Sequence, residues 1–186
     1  ENFSLDREPG SLCLLGNAMR LDDGTGGVFV GCRQEHFNCE GTTALRFAPA
    51  RDGEEAGLTV WMDARHHYDL YIMSEGGKRQ VMVRRRIGSL GAVVAREKVF
   101  GEDVTLIVRA NRLFYTFSIR VDGEERTLAT GETRYLSTEV ATGFTGVYFA
   151  LFASGNGEPA VSPACFDWFD YRDLEQPGCL SIDSSV

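Results

Sequence analysis

Over residues 113–121, Leu113, Tyr115, Phe117, Ile119 and Val121 alternate with Phe114, Thr116, Ser118 and Arg120, and the run stops at Asp122-Gly123. A period of two belongs to an extended strand with one buried face, because successive side chains point to opposite sides of a sheet. Asp-Gly supplies the positive φ that a tight hairpin turn needs, so 125–129 is expected as the return strand. No segment sustains a 3.6-residue apolar period, and only 137–142 is expected to hold a helical turn.

The rest of the chain repeats this pattern in shorter pieces. Segments 11–15, 28–33, 42–48, 57–62, 67–73, 79–86, 92–98 and 104–109 read as strands, with 34–40 continuing the β pattern, and the 21 glycines fall between them as turn punctuation. Within 57–62, Leu58, Val60 and Met62 share one side while Thr59 and Trp61 share the other. Residues 136–171 hold a Gly-flanked aromatic loop at Gly143, Phe144 and Gly146, an apolar strand at 147–153 and an aromatic strand at 165–171. Many short strands with turn signals between them imply an all-β fold, and one-sided alternation implies two packed sheets, hence an antiparallel jelly-roll sandwich. The 186 residues suit one domain, 1–175, followed by a mobile tail at 176–186.

Charge and cysteine content narrow the partners. Nineteen basic against 27 acidic residues give a net charge of −8, which repels nucleic-acid backbones and anionic lipid surfaces and suits a neutral ligand such as a carbohydrate. No apolar run approaches the roughly 18 residues that span a bilayer. Cys13, Cys32, Cys39, Cys165 and Cys179 form no CxxC pair and lie near no spaced histidines, so no metal site is expected and the thiols are expected as core filling. Unpaired thiols point to the cytoplasm, with an extracellular location left open by a removed leader.

Catalytic arrangements are sparse. Glycoside hydrolysis uses two carboxyl groups roughly 5–10 Å apart, and jelly-roll glucanases mount them at a spacing of two along one strand, yet no glutamate here has an aspartate two positions later. Asp167 and Asp170 are an odd number of steps apart, and Glu54-Glu55 and Glu124-Glu125 sit at turns where exposed charge is expected. His66-His67 reads as a hairpin bend, Gln34-Glu35-His36 as a solvated or hydrogen-bonded group, and Arg84-Arg85-Arg86 as a salt-bridged, solvated strand.

The segments 29–49 (FVGCRQEHFNCEGTTALRFAP), 54–63 (EEAGLTVWMD), 67–72 (HYDLYI) and 136–171, with FSL and PGSLCLLG near the start, resemble the C-terminal β-sandwich of glycoside hydrolase family 43 β-xylosidases and α-L-arabinofuranosidases. The resemblance implies a concanavalin A-like sandwich that is non-catalytic by itself. In that family the catalytic carboxylates reside in an N-terminal five-bladed propeller, a segment this sequence does not contain. The sandwich packs on the propeller and inserts a loop whose aromatic residue helps close the substrate pocket. The position similar to that residue is Phe144, flanked by Gly143 and Thr145. The implied partners are a family 43 propeller and a xylo-oligosaccharide or arabinoside, with no cofactor and no metal. Two other readings stand beside this one: a lectin-like module that stacks sugars on Trp61 and Tyr71, and a scaffold that forms a homo-oligomer.

Overall fold

The computed structural model describes residues 2–101, 103–143 and 146–175. Its strands are β1 (Phe3–Ser4), β2 (Leu12–Leu15), β3 (Val28–Arg33), β4 (Cys39–Arg46), β5 (Glu55–Asp63), β6 (His66–Glu75), β7 (Lys78–Ile87), β8 (Leu90–Lys98), β9 (Asp103–Ala110), β10 (Phe114–Val121), β11 (Glu124–Glu132), β12 (Tyr148–Ser154) and β13 (Pro163–Asp173). They form a seven-stranded sheet in the order β1-β2-β13-β4-β9-β10-β11 and a six-stranded sheet in the order β3-β12-β5-β6-β7-β8. Every strand pairing is antiparallel. The expected sandwich is present, and the expected helical turn is the one-turn helix α1 (Thr138–Ala141), preceded by a 3-10 turn at Thr133–Leu136.

The period of two decides which side chains meet between the sheets. Leu45, Leu106, Val108, Phe117, Ile119 and Phe166 from one sheet face Leu58, Val60, Leu70, Ile72, Val83 and Phe149 from the other. Burying each such side chain contributes roughly 1.5–3 kcal/mol. Tyr68 crosses this core edge-on to Tyr115 and Phe117, at 6.1 Å from each, and its hydroxyl donates to the Glu132 carbonyl at 2.9 Å. The ring lies over Gly131, where a Cβ would come within 2.6 Å of it, so that strand position requires glycine.

Several local expectations are corrected. Residues 34–38 connect β3 to β4 instead of continuing the strand, and Asp167 is the extra residue of a bulge between Phe166 and Trp168. His66 and His67 begin β6, with His67 fully buried. Glu54 and Glu55, expected at an exposed turn, are each 1% exposed. Glu54 accepts backbone N–H groups from Ala50 at 3.1 Å and Val161 at 2.6 Å, which ties two loops together. Cys13 and Cys165, expected as thiols, lie opposite each other in β2 and β13 and form a disulfide, whereas Cys32 and Cys39 are free. Cys179 and the whole of 176–186 lie outside the described residues.

Candidate functional site

Two regions of the sandwich carry groups that the core does not use. The first is the end where Thr142, Gly143, Gly146 and Val147 lie between α1 and β12. There a hollow of about 450 Å³ is lined by Gln34, His36, Phe37, Arg112, Tyr115 and Leu136, among others. Its walls are fixed by hydrogen bonds. The Tyr115 hydroxyl donates to Gln34 Oε1 at 2.8 Å, the Gln34 N–H donates to the Val147 carbonyl at 2.8 Å, and the Tyr171 hydroxyl accepts the N–H groups of Glu35 at 2.9 Å and His36 at 3.1 Å. Its rim carries the ring of Phe37, 62% exposed, with the Arg112 guanidinium 4.3 Å from the ring centroid.

The loop at this end is shaped by its backbone. Thr142 and Gly143 have φ of 62° and 99°, and Gly146 has φ of 73°. The positive φ of Gly146 favours glycine there, and a Cβ would lie 3.2 Å from the end of the flexible Arg33 side chain. Of the three residues expected at a pocket rim, Gly143 is one of these anchors, and Phe144 and Thr145 lie outside the described residues.

The second region is the outer face of the six-stranded sheet. His67, Asp69 and Tyr71 of β6 share this face with Glu55, Thr59 and Trp61 of β5 and with Met82 and Arg84 of β7. Residues 20–24, which include a 3-10 turn at Leu21–Asp23, fold over it, and Leu21 packs with Tyr71, Met82 and Phe152.

A charge network lies beneath that cover. His67 Nε2 is 2.8 Å from Asp22, and its Nδ1 is 2.9 Å from Asp69. Arg84 donates to Asp69 at 2.7 Å and to both oxygens of Glu55 at 2.9 and 3.1 Å, and Thr59 Oγ1 donates to Asp69 at 2.6 Å. Burial alone would lower the His67 pKa, but the Asp69 charge and the hydrogen bonds that the ring donates to Asp22 and Asp69 outweigh it and push it up to about 9. Burial likewise opposes ionisation of Asp69, and the His67 and Arg84 charges hold its carboxyl well below the usual range. The hydrogen bond from His67 lowers the Asp22 carboxyl. With every carboxylate engaged by a cation, this cluster fixes the loop to the sheet.

The sequence-derived sugar-stacking pair divides on this face. Trp61 is half-buried and lines a hollow. Tyr71 is 2% exposed, with Arg84 4.7 Å over its ring and its hydroxyl donating to Met82 Sδ at 3.5 Å, so neither ring face is open to a ligand. The network itself escaped the sequence reading, although the shared parity of His67, Asp69 and Arg84 was available as a signal.

Residues 1–172 match the family model of the beta-xylosidase C-terminal concanavalin A-like domain. The chain belongs to that family. Over 174 residues this domain is 38% identical to the non-reducing end alpha-L-arabinofuranosidase BoGH43B of Bacteroides ovatus, covering 93% of the chain and 33% of the relative. Over 173 residues it is 24% identical to a xylosidase/arabinosidase of Butyrivibrio fibrisolvens, covering 92% of the chain and 34% of the relative. The domain superposes on the Bacteroides ovatus GH43B structure with a TM-score of 0.87 at 38% identity, over 93% of this chain and 34% of that one. On the xylan beta-1,4-xylosidase of Bacillus halodurans C-125 the TM-score is 0.82 at 24% identity, over 92% and 34%, a likeness of fold. The chain spans about a third of the length of these relatives.

Proposed function

We propose that this domain is the accessory sandwich of a family 43 glycosidase that acts on xylosyl or arabinofuranosyl substrates, that it docks on the catalytic propeller through the end bearing residues 142–147, and that Phe144 forms part of the substrate-pocket rim. The observation that carries this reading is the meeting, at one end, of a loop anchored at Gly143 and Gly146 and an open hollow lined by Val147, Leu136 and the exposed ring of Phe37. An open hollow with an exposed aromatic ring at its edge suits an interaction surface. Relatives about three times as long supply a natural occupant, a domain of the same chain.

The chemistry follows from what a second domain adds. An exo-acting glycosidase needs a short closed pocket, and an aromatic side chain from a neighbouring domain blocks further subsites, excludes water and packs on the C–H face of a sugar. The disulfide supports an oxidising compartment as the site of action.

The test is hydrolysis of aryl β-xyloside and α-L-arabinofuranoside by this chain alone, by a separately expressed family 43 catalytic domain, and by the two mixed. Silence from the chain with activity raised in the mixture is expected; activity from the chain alone overturns the proposal.

A further inference from the structure

The outer face of the six-stranded sheet holds a second hollow, of about 250 Å³, between residues 20–27 and the rings of Phe29 and Trp61. One wall is aromatic: Trp61 and Phe29 meet edge to face with centroids 5.5 Å apart, and Phe29 meets Tyr148 at 6.3 Å. The rest of the lining is Arg20, Leu21 and the glycines Gly24, Gly26 and Gly27, with φ of 83° at Gly24 and 84° at Gly26. Without side chains at the glycines, peptide groups can come close to a bound molecule. Arg20, exposed, stands at the rim, and among the described residues the indole N–H of Trp61 donates to no acceptor.

These walls are held before any ligand arrives. The Asn17 side chain donates to the Gly26 carbonyl at 2.6 Å, the Arg20 N–H donates to Asp23 at 2.8 Å, and Ser154 Oγ donates to the Met19 carbonyl at 2.9 Å. Asp22 ties the same loop to His67, which lies directly across from Trp61 in the β5–β6 register. The charge network therefore fixes the distance between the glycines and the indole, and a pre-formed site loses less freedom on binding.

We propose that this hollow is a carbohydrate subsite that holds one pentosyl unit of a neutral xylan-type oligosaccharide. The sugar packs its C–H face on Trp61, and its hydroxyls meet the indole N–H, the Arg20 guanidinium and the peptide groups of residues 24–27. A net charge of −8 disfavours polyanionic ligands. The assignment rests on the proposed function only for the choice of a pentose over a hexose.

The experiment uses the 186-residue chain without a catalytic domain, titrated with xylotetraose and followed by amide and indole NMR resonances. The Trp61 indole and the amides of Gly24, Gly26 and Gly27 are expected to shift saturably with a millimolar Kd. Trp168, 41% exposed on the other sheet, is expected not to move. Trp61→Ala weakens binding by about tenfold or more, and Trp168→Ala leaves it unchanged. Trp61→Phe, which keeps a ring and loses the N–H, retains part of the affinity and guards against a folding defect. Absence of saturable shifts, or shifts centred on Trp168, overturns the subsite, and equal binding of cellotetraose overturns the pentose assignment. Binding to the isolated chain is read separately from catalysis, so failure here is distinguishable from failure of the pocket-rim proposal.

Discussion

His67 Nε2 lies 2.8 Å from a carboxylate oxygen of Asp22, a contact that spans 45 residues of sequence and joins the loop over the six-stranded sheet to the middle of that sheet. With Nδ1 on Asp69 at 2.9 Å, the ring is held between two carboxylates and meets both only when both nitrogens carry protons.

That arrangement sets a pH dependence of stability. The folded pKa of His67, about 9, lies above its ordinary value of 6.5, so its contribution is fully present below about pH 6.5 and is lost as pH rises through about 9. A loss of about 3 kcal/mol is expected across that window. Urea midpoints measured across it should fall with rising pH in the wild-type chain and flatten in His67→Gln. A flat wild-type profile contradicts the assignment.

Arg84 neutralises two carboxylates that have no access to water, Glu55 at 1% exposure and Asp69 at 0%. Arg84→Met leaves Glu55 without a cation and Asp69 with His67 alone, and is expected to cost about 3–5 kcal/mol, since removing one partner of a buried pair strands the other charge. Arg84→Lys should recover only part of this, because one ammonium cannot reproduce the forked contact with Glu55 and the bond to Asp69. Chemical denaturation of the three proteins checks the order.

The Cys13–Cys165 disulfide closes a loop of sequence separation 152 between the N-terminal strands and the last strand. The double variant Cys13→Ala/Cys165→Ala is expected to lose about 3–5 kcal/mol, and reduction of the native chain should lower its urea midpoint to the same extent. Reduction that changes the double variant equally would show the effect to lie elsewhere.

Gly57 sits in β5 where a Cβ would come within 2.2 Å of the Leu70 carbonyl oxygen and 2.5 Å of Tyr71 Cα. Both are backbone atoms of a paired strand and cannot step aside. Gly57→Ala is expected to destabilise by about 3 kcal/mol or more, visible as a lower Tm.

Strand positions and their inward faces were legible because period-two alternation is local: Tyr115, Phe117 and Ile119 point into the core as their spacing implies. The loop at Gly143 and Gly146 was legible for the same reason, since positive φ is written in single residues. The charge network was not, because Glu55, Asp69 and Arg84 look like solvated charges until pairing brings together residues 15 and 29 positions apart. Glu54 illustrates the limit further, as its partners Val161 and Ser162 come from a loop more than a hundred residues away. The disulfide was hidden for the same reason. Burial of Tyr71 depends on Arg84 and on Leu21 from the covering loop, neither of which its own strand reveals.

We propose that Phe144 completes the pocket of a neighbouring catalytic domain. The most direct measurement is kcat/KM for an aryl α-L-arabinofuranoside and an aryl β-xyloside in an enzyme joining this chain to a family 43 catalytic domain, with and without Phe144→Ala. A fall of about 10- to 100-fold on the preferred substrate, with the Tm unchanged, is the expected result. An unchanged kcat/KM contradicts the account.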